Sequence, residues 1–421
     1  MNKINLNLHK IWTVTLMFYI ICNGAFSYGD LKMLNTLALY LFLGVSVLII
    51  LIKGKVRLDL TIVSLVIYAV LMLVGMLYTP TSANKVTGVV YDYITMLVLT
   101  FCVIQYIREV ADLENIMLAY MLTGLAMAIY VYAQYGNEFW EILQENAQQE
   151  EQNRIERLGG ELANVNVISL LTAFSVVIGV YQLIFNRKNL ATTIFCVAVV
   201  VFCFVISMAG GSKKSLIVIF VSFVAMYFYN ALGSKAYLKQ FRNLLFMIGG
   251  IAAVVMLVTR LPIFSGIVMR YESFFSFMEG GKGGVSDVDR MNLISKGMEV
   301  WWNHPLFGAG TYASGHYLGV YAHNNYVELL MNSGLIGLIV FYAVYFVAVI
   351  RYISNSIRYK QSGKIAILLF AVLLSVLVTG FAMVYYYDRY CMFMAATACT
   401  ATGVLGKKDK TLPENTLSNK G

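Results

Sequence analysis

The sequence predicts an all-α, polytopic integral membrane protein of about twelve transmembrane helices, with a large outer loop before the tenth. Three observations predict it. Hydrophobic residues make up 59% of the 421 and charged residues only 13%, about half the roughly 25% with which a globular chain solvates its exterior. Apolar runs near the roughly 20 residues needed to span a bilayer recur from end to end. Basic residues gather in alternate connections between those runs, as the positive-inside rule requires.

Between polar breaks the spans fall at 11–28, 33–52, 60–78, 88–107, 116–135, 165–185, 190–209, 215–232, 244–259, 326–350, 365–386 and 391–405. Lys3 and Lys10 precede the first run as in a signal peptide. No small-residue cleavage site follows, and Ile21 before Cys22 argues against a lipoprotein, so the segment reads as an uncleaved span. Lys53/Lys55/Arg57, Arg187/Lys188, Lys235/Lys239/Arg242, Arg351/Arg358/Lys360/Lys364 and Lys407/Lys408/Lys410 occupy alternate connections. Those connections and both termini face the cytoplasm. The net charge of +9 follows from topology and outer-loop function, and a nucleic-acid partner is not needed to explain it. Residues 1–406 form one membrane domain that includes outer loops 136–164 and 260–323, and 407–421 form a polar cytoplasmic tail. All six cysteines sit inside apolar runs, where a thiol behaves as a small hydrophobe, and no metal-type cysteine spacing occurs.

The two outer loops are long enough to expect function. The first opens with Glu138, Glu141, Glu145, Glu150 and Glu151 and ends with Arg154, Arg157, Gly159 and Gly160. In the second, Met291, Ile294, Met298 and Trp301 recur at helical spacing. Residues 288–302 therefore read as an amphipathic helix with Trp301 and Trp302 at interfacial depth, ended by Pro305. No Gly/Pro-broken pair of helices marks corresponding halves, the pointer expected for many secondary transporters.

Three constellations could carry chemistry. Gly210-Gly211-Ser212-Lys213-Lys214 joins flexible backbone amides, a helix N-terminus and two ammonium groups, which together suit a phosphate. Alternatively the lysines snorkel to lipid headgroups, although they fall on the side where positive charge is disfavoured. Asp287-Val288-Asp289-Arg290 heads the amphipathic helix. Its carboxylates could hold a divalent metal or simply cap the helix, and Arg290 is either a surface charge or a phosphate-binding cation. Third comes His323-Asn324-Asn325-Tyr326-Val327-Glu328, running to Ser333-Gly334-Leu335-Ile336-Gly337. His323 stands at a helix N-terminus, whose dipole disfavours the imidazolium and leaves a usable base. Asn324 and Glu328 share a helix face, and a carboxylate in the apolar zone calls for a polar partner or a cavity. The alternative is that His323, Asn324 and Asn325 only cap the helix.

These residues resemble the O-antigen ligase and O-antigen polymerase (Wzy-type) superfamily of bacterial membrane glycan-transferring proteins. The resemblance rests, in order, on Gly211-Ser212-Lys213-Lys214-Ser215, on Asp289-Arg290 followed by Trp302-Asn303-His304-Pro305-Leu306-Phe307-Gly308-Ala309-Gly310, and on His323-Asn324 through Glu328 to Gly334-Leu335-Ile336-Gly337. It implies metal-independent, inverting transfer of a glycan from undecaprenyl-pyrophosphate to an acceptor on the outer face of the bacterial cytoplasmic membrane, without a cofactor. A chain-length regulator and a flippase are the implied partners. By the same resemblance Arg290 matches a pyrophosphate-binding arginine and His323 the histidine at the acceptor hydroxyl. Lys213 stands where the family usually has arginine, which keeps the charge but loses the bidentate fork, so Lys214 is a candidate to share its role. Asn332 stands where an acidic residue is frequent.

The expected activity is therefore that of a surface-polysaccharide polymerase (O-antigen, capsule or exopolysaccharide). His323 and Arg290 are its catalytic candidates, and Lys213, Lys214, Asn324 and Glu328 its pyrophosphate- and glycan-binding ones. A ligase that moves finished glycan to another acceptor is the nearest rival. A lipid-linked oligosaccharide flippase would want charge buried through the bilayer, and Asp92 is the main residue in its favour. A non-catalytic assembly protein with the same fold is the remaining alternative.

Overall fold

A computed structural model describes residues 2–27, 29, 31–136, 138–139, 164–210, 212–234, 237–260, 285–358 and 364–408. The acidic and arginine-bearing stretch of the first outer loop, most of the second loop up to residue 284, and the tail from 409 onward lie outside the described residues.

Every predicted span coincides with a helix. These are α1 (Asn2–Ala25), α2 (Lys32–Lys53), α3 (Leu60–Gly75), α4 (Ala83–Tyr106), α5 (Val110–Tyr135), α6 (Val165–Ile184), α7 (Leu190–Ala209), α8 (Lys213–Gly233) and α9 (Tyr237–Thr259). Then follow α10 (Val285–Asn303), the short α11 (Ser314–Tyr317), α12 (Asn325–Arg358), α13 (Ile365–Thr379) and α14 (Arg389–Lys408). Among the described residues, α2, α4, α5, α6, α7, α8 and α12 are long and apolar enough to cross a membrane, with α3 and α13 shorter apolar helices. The protein is an all-helical, multi-pass membrane protein.

Side chains that would be unusable against lipid hold the helices together. In lipid no hydrophobic force favours helix association, so close packing and interhelical hydrogen bonds must supply it. Gly124 of α5 lets α6 approach until Ser175 Oγ donates to Met121 O at 2.9 Å. Ser222 of α8 and Ser375 of α13 share a 2.6 Å hydroxyl contact. α6 lies between α5 and α7, α1 packs on α2 and α5, and α12 packs on α3. All six cysteines are buried and free.

Two predicted segments end early. The 60–78 span stops at Gly75 and the 365–386 span stops at Thr379. Beyond Thr379 the chain forms a loop whose Tyr385 and Tyr386 amides both donate to the buried Asn325 Oδ1, at 2.9 and 3.0 Å. Buried backbone donors need partners, and Asn325 supplies one that a continuous helix would have made unnecessary. The amphipathic helix appears as α10, but its Ile294 and Met298 face packs on Ala322, Val327 and Met331 rather than turning to lipid. Gly297 permits this, since a β-carbon there would lie 2.5 Å from Val327 Cγ1. Trp302 remains exposed.

Candidate functional site

Gly334 interrupts α12 with φ 64° and ψ −165°, a backbone region open essentially to glycine alone. The break frees two amides, and the loop after α10 receives them. Leu335 N donates to Pro305 O at 2.9 Å and Ile336 N to Leu306 O at 3.2 Å, while Ala309 N donates back to Met331 O at 2.7 Å. A β-carbon at Gly334 would overlap the Leu306 carbonyl, and one at Gly308 would lie 2.6 Å from Met331 O. The His-Pro-Leu-Phe-Gly-Ala-Gly and Ser-Gly-Leu-Ile-Gly motifs are thus two halves of one joint. Non-helical backbone is tolerated at membrane depth where protein buries it.

The same loop is tied to the end of α3. Thr311 N donates to Gly75 O at 3.2 Å and Thr311 Oγ1 to Met72 O at 2.6 Å, and Thr79 Oγ1 donates to Thr311 O at 2.9 Å. The loop is therefore a fixed platform, and His323 stands at its exit.

His323 adopts φ 54°, a left-handed conformation that costs a non-glycine residue energy and persists only where surroundings enforce it. The enforcing group is Glu328, whose carboxylate is fully buried. Its Oε2 accepts from Ala322 N at 2.7 Å, and its Oε1 from Ser314 Oγ at 2.5 Å and Asn332 Nδ2 at 3.1 Å. Glu328 is thus held by protein donors on both oxygens. Asn324 is buried too, and its Oδ1 caps α12 by accepting from Tyr326 N at 2.9 Å and Val327 N at 3.1 Å. The capping alternative therefore applies to Asn324. Asn325 instead clasps the loop after α13, with its amide nitrogen donating to Tyr342 Oη at 2.8 Å.

Two cations converge on His323. Lys214 lies in the first turn of α8 and Arg290 early in α10. Burial, then Arg290, then Lys214 hold the His323 imidazole well below its ordinary pKa, at about 4. Burial removes the water that would stabilise an imidazolium, and neighbouring positive charge repels it. Lys214 and Arg290 also repel one another. The structure therefore brings Lys214, Arg290 and His323 into one electrostatic neighbourhood. Lys213 opens α8 beside them, half-buried, with contacts of its own. Ser212 Oγ, at the N-cap of α8, is buried and has no hydrogen-bond partner among the described residues.

Asp289 is exposed, and the Asp287 side chain lies outside the described residues. The group of described residues best spaced for a metal ion is His9, Glu109 and Asp112, at the end of the bundle away from His323. There Asp112 Oδ1 accepts from His9 at 2.7 Å and Oδ2 accepts from the Arg108 and Glu109 amides at 2.8 and 3.1 Å, so one oxygen is engaged by His9 and the other caps α5.

Residues 195–342 match the family model described as O-Antigen ligase. The matched segment is about a third of the chain and is similar to that family. It runs from α7 to the middle of α12 and contains Lys213, Lys214, Arg290, His323, Glu328 and the Gly334 joint. No curated protein matches the chain. The match supports glycan transfer of the O-antigen ligase or polymerase type in general. Sequence reading missed the loop after α13, which flanks this segment. Arg389, where that loop enters α14, lies 3.6 Å from Asp92, so the carboxylate that favoured a transport reading has a cationic neighbour. The signal was present: Tyr385-Tyr386-Tyr387-Asp388-Arg389 places an adjacent acid and base at the end of an apolar run, as at a helix boundary.

Proposed function

We propose that the protein is a surface-polysaccharide polymerase. It transfers a growing glycan from undecaprenyl-pyrophosphate to the next lipid-linked repeat unit on the outer face of the bacterial cytoplasmic membrane. What supports this reading is that the charges of Arg290 and Lys214 both act on the half-buried His323, which with burial favours its neutral form.

In the proposed step, an acceptor hydroxyl oxygen attacks the anomeric carbon from the face opposite the leaving group, which inverts its configuration. The bond from that carbon to the pyrophosphate oxygen breaks, the hydroxyl proton passes to His323, and the diphosphate leaves with its polyprenyl tail in the bilayer. Arg290 and Lys214, with Lys213 beside them, neutralise the charge that builds on the leaving oxygen, which is preorganised electrostatic stabilisation. In this reading the cations serve in place of a metal.

An imidazole with a pKa near 4 is neutral but a weak base. Donor binding offsets part of this: burial is the larger cause of the low pKa, but a diphosphate set against Arg290 and Lys214 cancels the repulsion those cations add to it. The base thus gains strength when its substrate is present. Asn324 and Glu328 act in this reading through the placement of His323.

A ligase acting on another acceptor uses the same chemistry. The glycan profile of a deletion strain separates the two. Acceptor cores that carry a single repeat unit support the polymerase, whereas unmodified acceptor with accumulated carrier-linked polymer overturns it in favour of a ligase.

A further inference from the structure

At the end of the bundle away from His323, the N-terminus of α3, the C-terminal half of α12 and the end of α14 enclose a cavity of about 40 Å³. By the scale on which one water needs about 10–15 Å³, it has room for about three waters or one phosphate group. Arg57, Asp59, Thr61, Arg351, Thr400 and Gly403 line it.

The charges in this cavity are unequally engaged. Asp59 spends its carboxylate on protein: Oδ1 accepts from Ile62 N at 3.1 Å to cap α3, and Oδ2 accepts from Thr400 Oγ1 at 2.7 Å. Arg57 is fixed by its backbone, whose N–H and carbonyl pair with the Gln105 side chain at 2.7 Å each. Its guanidinium then gives Nη1 to Ile107 O at 3.1 Å. A guanidinium carries five donors, so most of Arg57's remain. Among the described residues no hydrogen bond engages the Arg351 side chain. Leu60 and Val347 also line the cavity, and Leu60 and the sequence neighbours Leu58 and Ile350 are exposed, as lipid-facing side chains are.

We propose that this cavity binds the phosphate of an anionic phospholipid headgroup, held between the Arg57 and Arg351 guanidinium groups while the acyl chains lie along the apolar rim. Basic pockets between spans on the cytoplasmic side are suited to such headgroups. The basic connections that flank this end assign it to that leaflet. Gly403 keeps the seat open, because a β-carbon there would stand 3.2 Å from Arg57 Nη2.

The test is native mass spectrometry of the full-length protein released from nanodiscs of dioleoylphosphatidylglycerol or of dioleoylphosphatidylcholine. The expected result is a retained phosphatidylglycerol adduct that the phosphatidylcholine discs do not give. Arg351→Gln should weaken retention about fivefold, in line with the usual contribution of one cation near an anionic lipid surface. Arg351 is exposed, so this variant should fold, whereas Arg57→Gln also removes a structural hydrogen bond and serves as the second variant. Equal retention of both lipids, or unchanged retention in Arg351→Gln, overturns the proposal. Displacement of the adduct by millimolar inorganic phosphate reassigns the cavity to free phosphate and overturns the lipid assignment.

Discussion

Glu328 Oε2 accepts a 2.7 Å hydrogen bond from the amide of Ala322, the residue immediately before His323. That contact, with Ser314 and Asn332 on the other oxygen, fixes the chain where it turns left-handed. A carboxylate is acceptor-only, and all three partners donate.

Glu328→Gln should therefore misplace His323 rather than remove it. An amide must present its NH₂ either to the Ala322 amide or to the Ser314 and Asn332 donors, and an unmet buried group costs roughly 1–3 kcal/mol. The expected outcome is a kcat lowered at least tenfold, with KM for the lipid-linked donor little changed, in protein that inserts normally. A purely structural role would instead show as lost insertion or lowered thermal stability with kcat unchanged per folded molecule.

His323→Ala should abolish elongation, since general-base catalysis typically contributes 10²- to 10⁴-fold. Wild-type glycan lengths in that strain would refute the assignment. The pH dependence follows from the depressed pKa of about 4. The neutral imidazole is the competent form, so it persists as pH falls and is lost only on passing through about 4. Removing a neighbouring cation in Lys214→Gln relieves the repulsion of the imidazolium and moves the titration upward, towards 6.5. Diethylpyrocarbonate, which attacks neutral imidazole, reads this without activity. Mass spectrometry should find His323 labelling falling off at a higher pH in Lys214→Gln than in the wild-type protein.

Gly334→Ala should be among the most damaging small substitutions in the protein. The φ of 64° with ψ of −165° costs an L-residue on the order of 1–3 kcal/mol, and the new methyl would overlap the Leu306 carbonyl. The control is Gly249→Ala in α9, where nothing lies within 4 Å of the added carbon and alanine is the better helix former. Thermal melting in detergent should show Gly334→Ala well below the wild type and Gly249→Ala at or above it.

The fold was legible because lipid imposes a one-dimensional rule: an apolar run of sufficient length is a helix, since in hydrocarbon its backbone must satisfy itself. Each of the twelve predicted spans holds a helix, and two of those helices stop short of the predicted end, at Gly75 and Thr379. The rule fails where side chains outside the run satisfy the backbone instead, as Asn325 does for Tyr385 and Tyr386. The Gly334 joint escaped for the same reason, since its partners Pro305 and Leu306 lie roughly thirty residues upstream and no local period connects them. The residues of the site were visible by type: cations, a histidine and a carboxylate in order along the chain. Their division of labour was not. Whether Glu328 faces a substrate or the Ala322 amide depends on a long-range fold.

The two adjacent lysines give the last prediction. Both were candidates from the sequence, and Lys214 is the one whose charge acts on His323 together with Arg290. It is half-buried, so a phosphate placed there meets a cation less screened by water than a surface lysine is. Lys214→Ala should lower kcat/KM for the donor at least tenfold, and more than Lys213→Ala does. Lys213→Arg should be tolerated, because it restores the fork usual in the family and keeps the charge. Steady-state kinetics of the three variants in proteoliposomes check the order. A greater loss from Lys213→Ala than from Lys214→Ala would move the phosphate seat one residue along α8, where the side chain projects about 100° round the helix from that of Lys214.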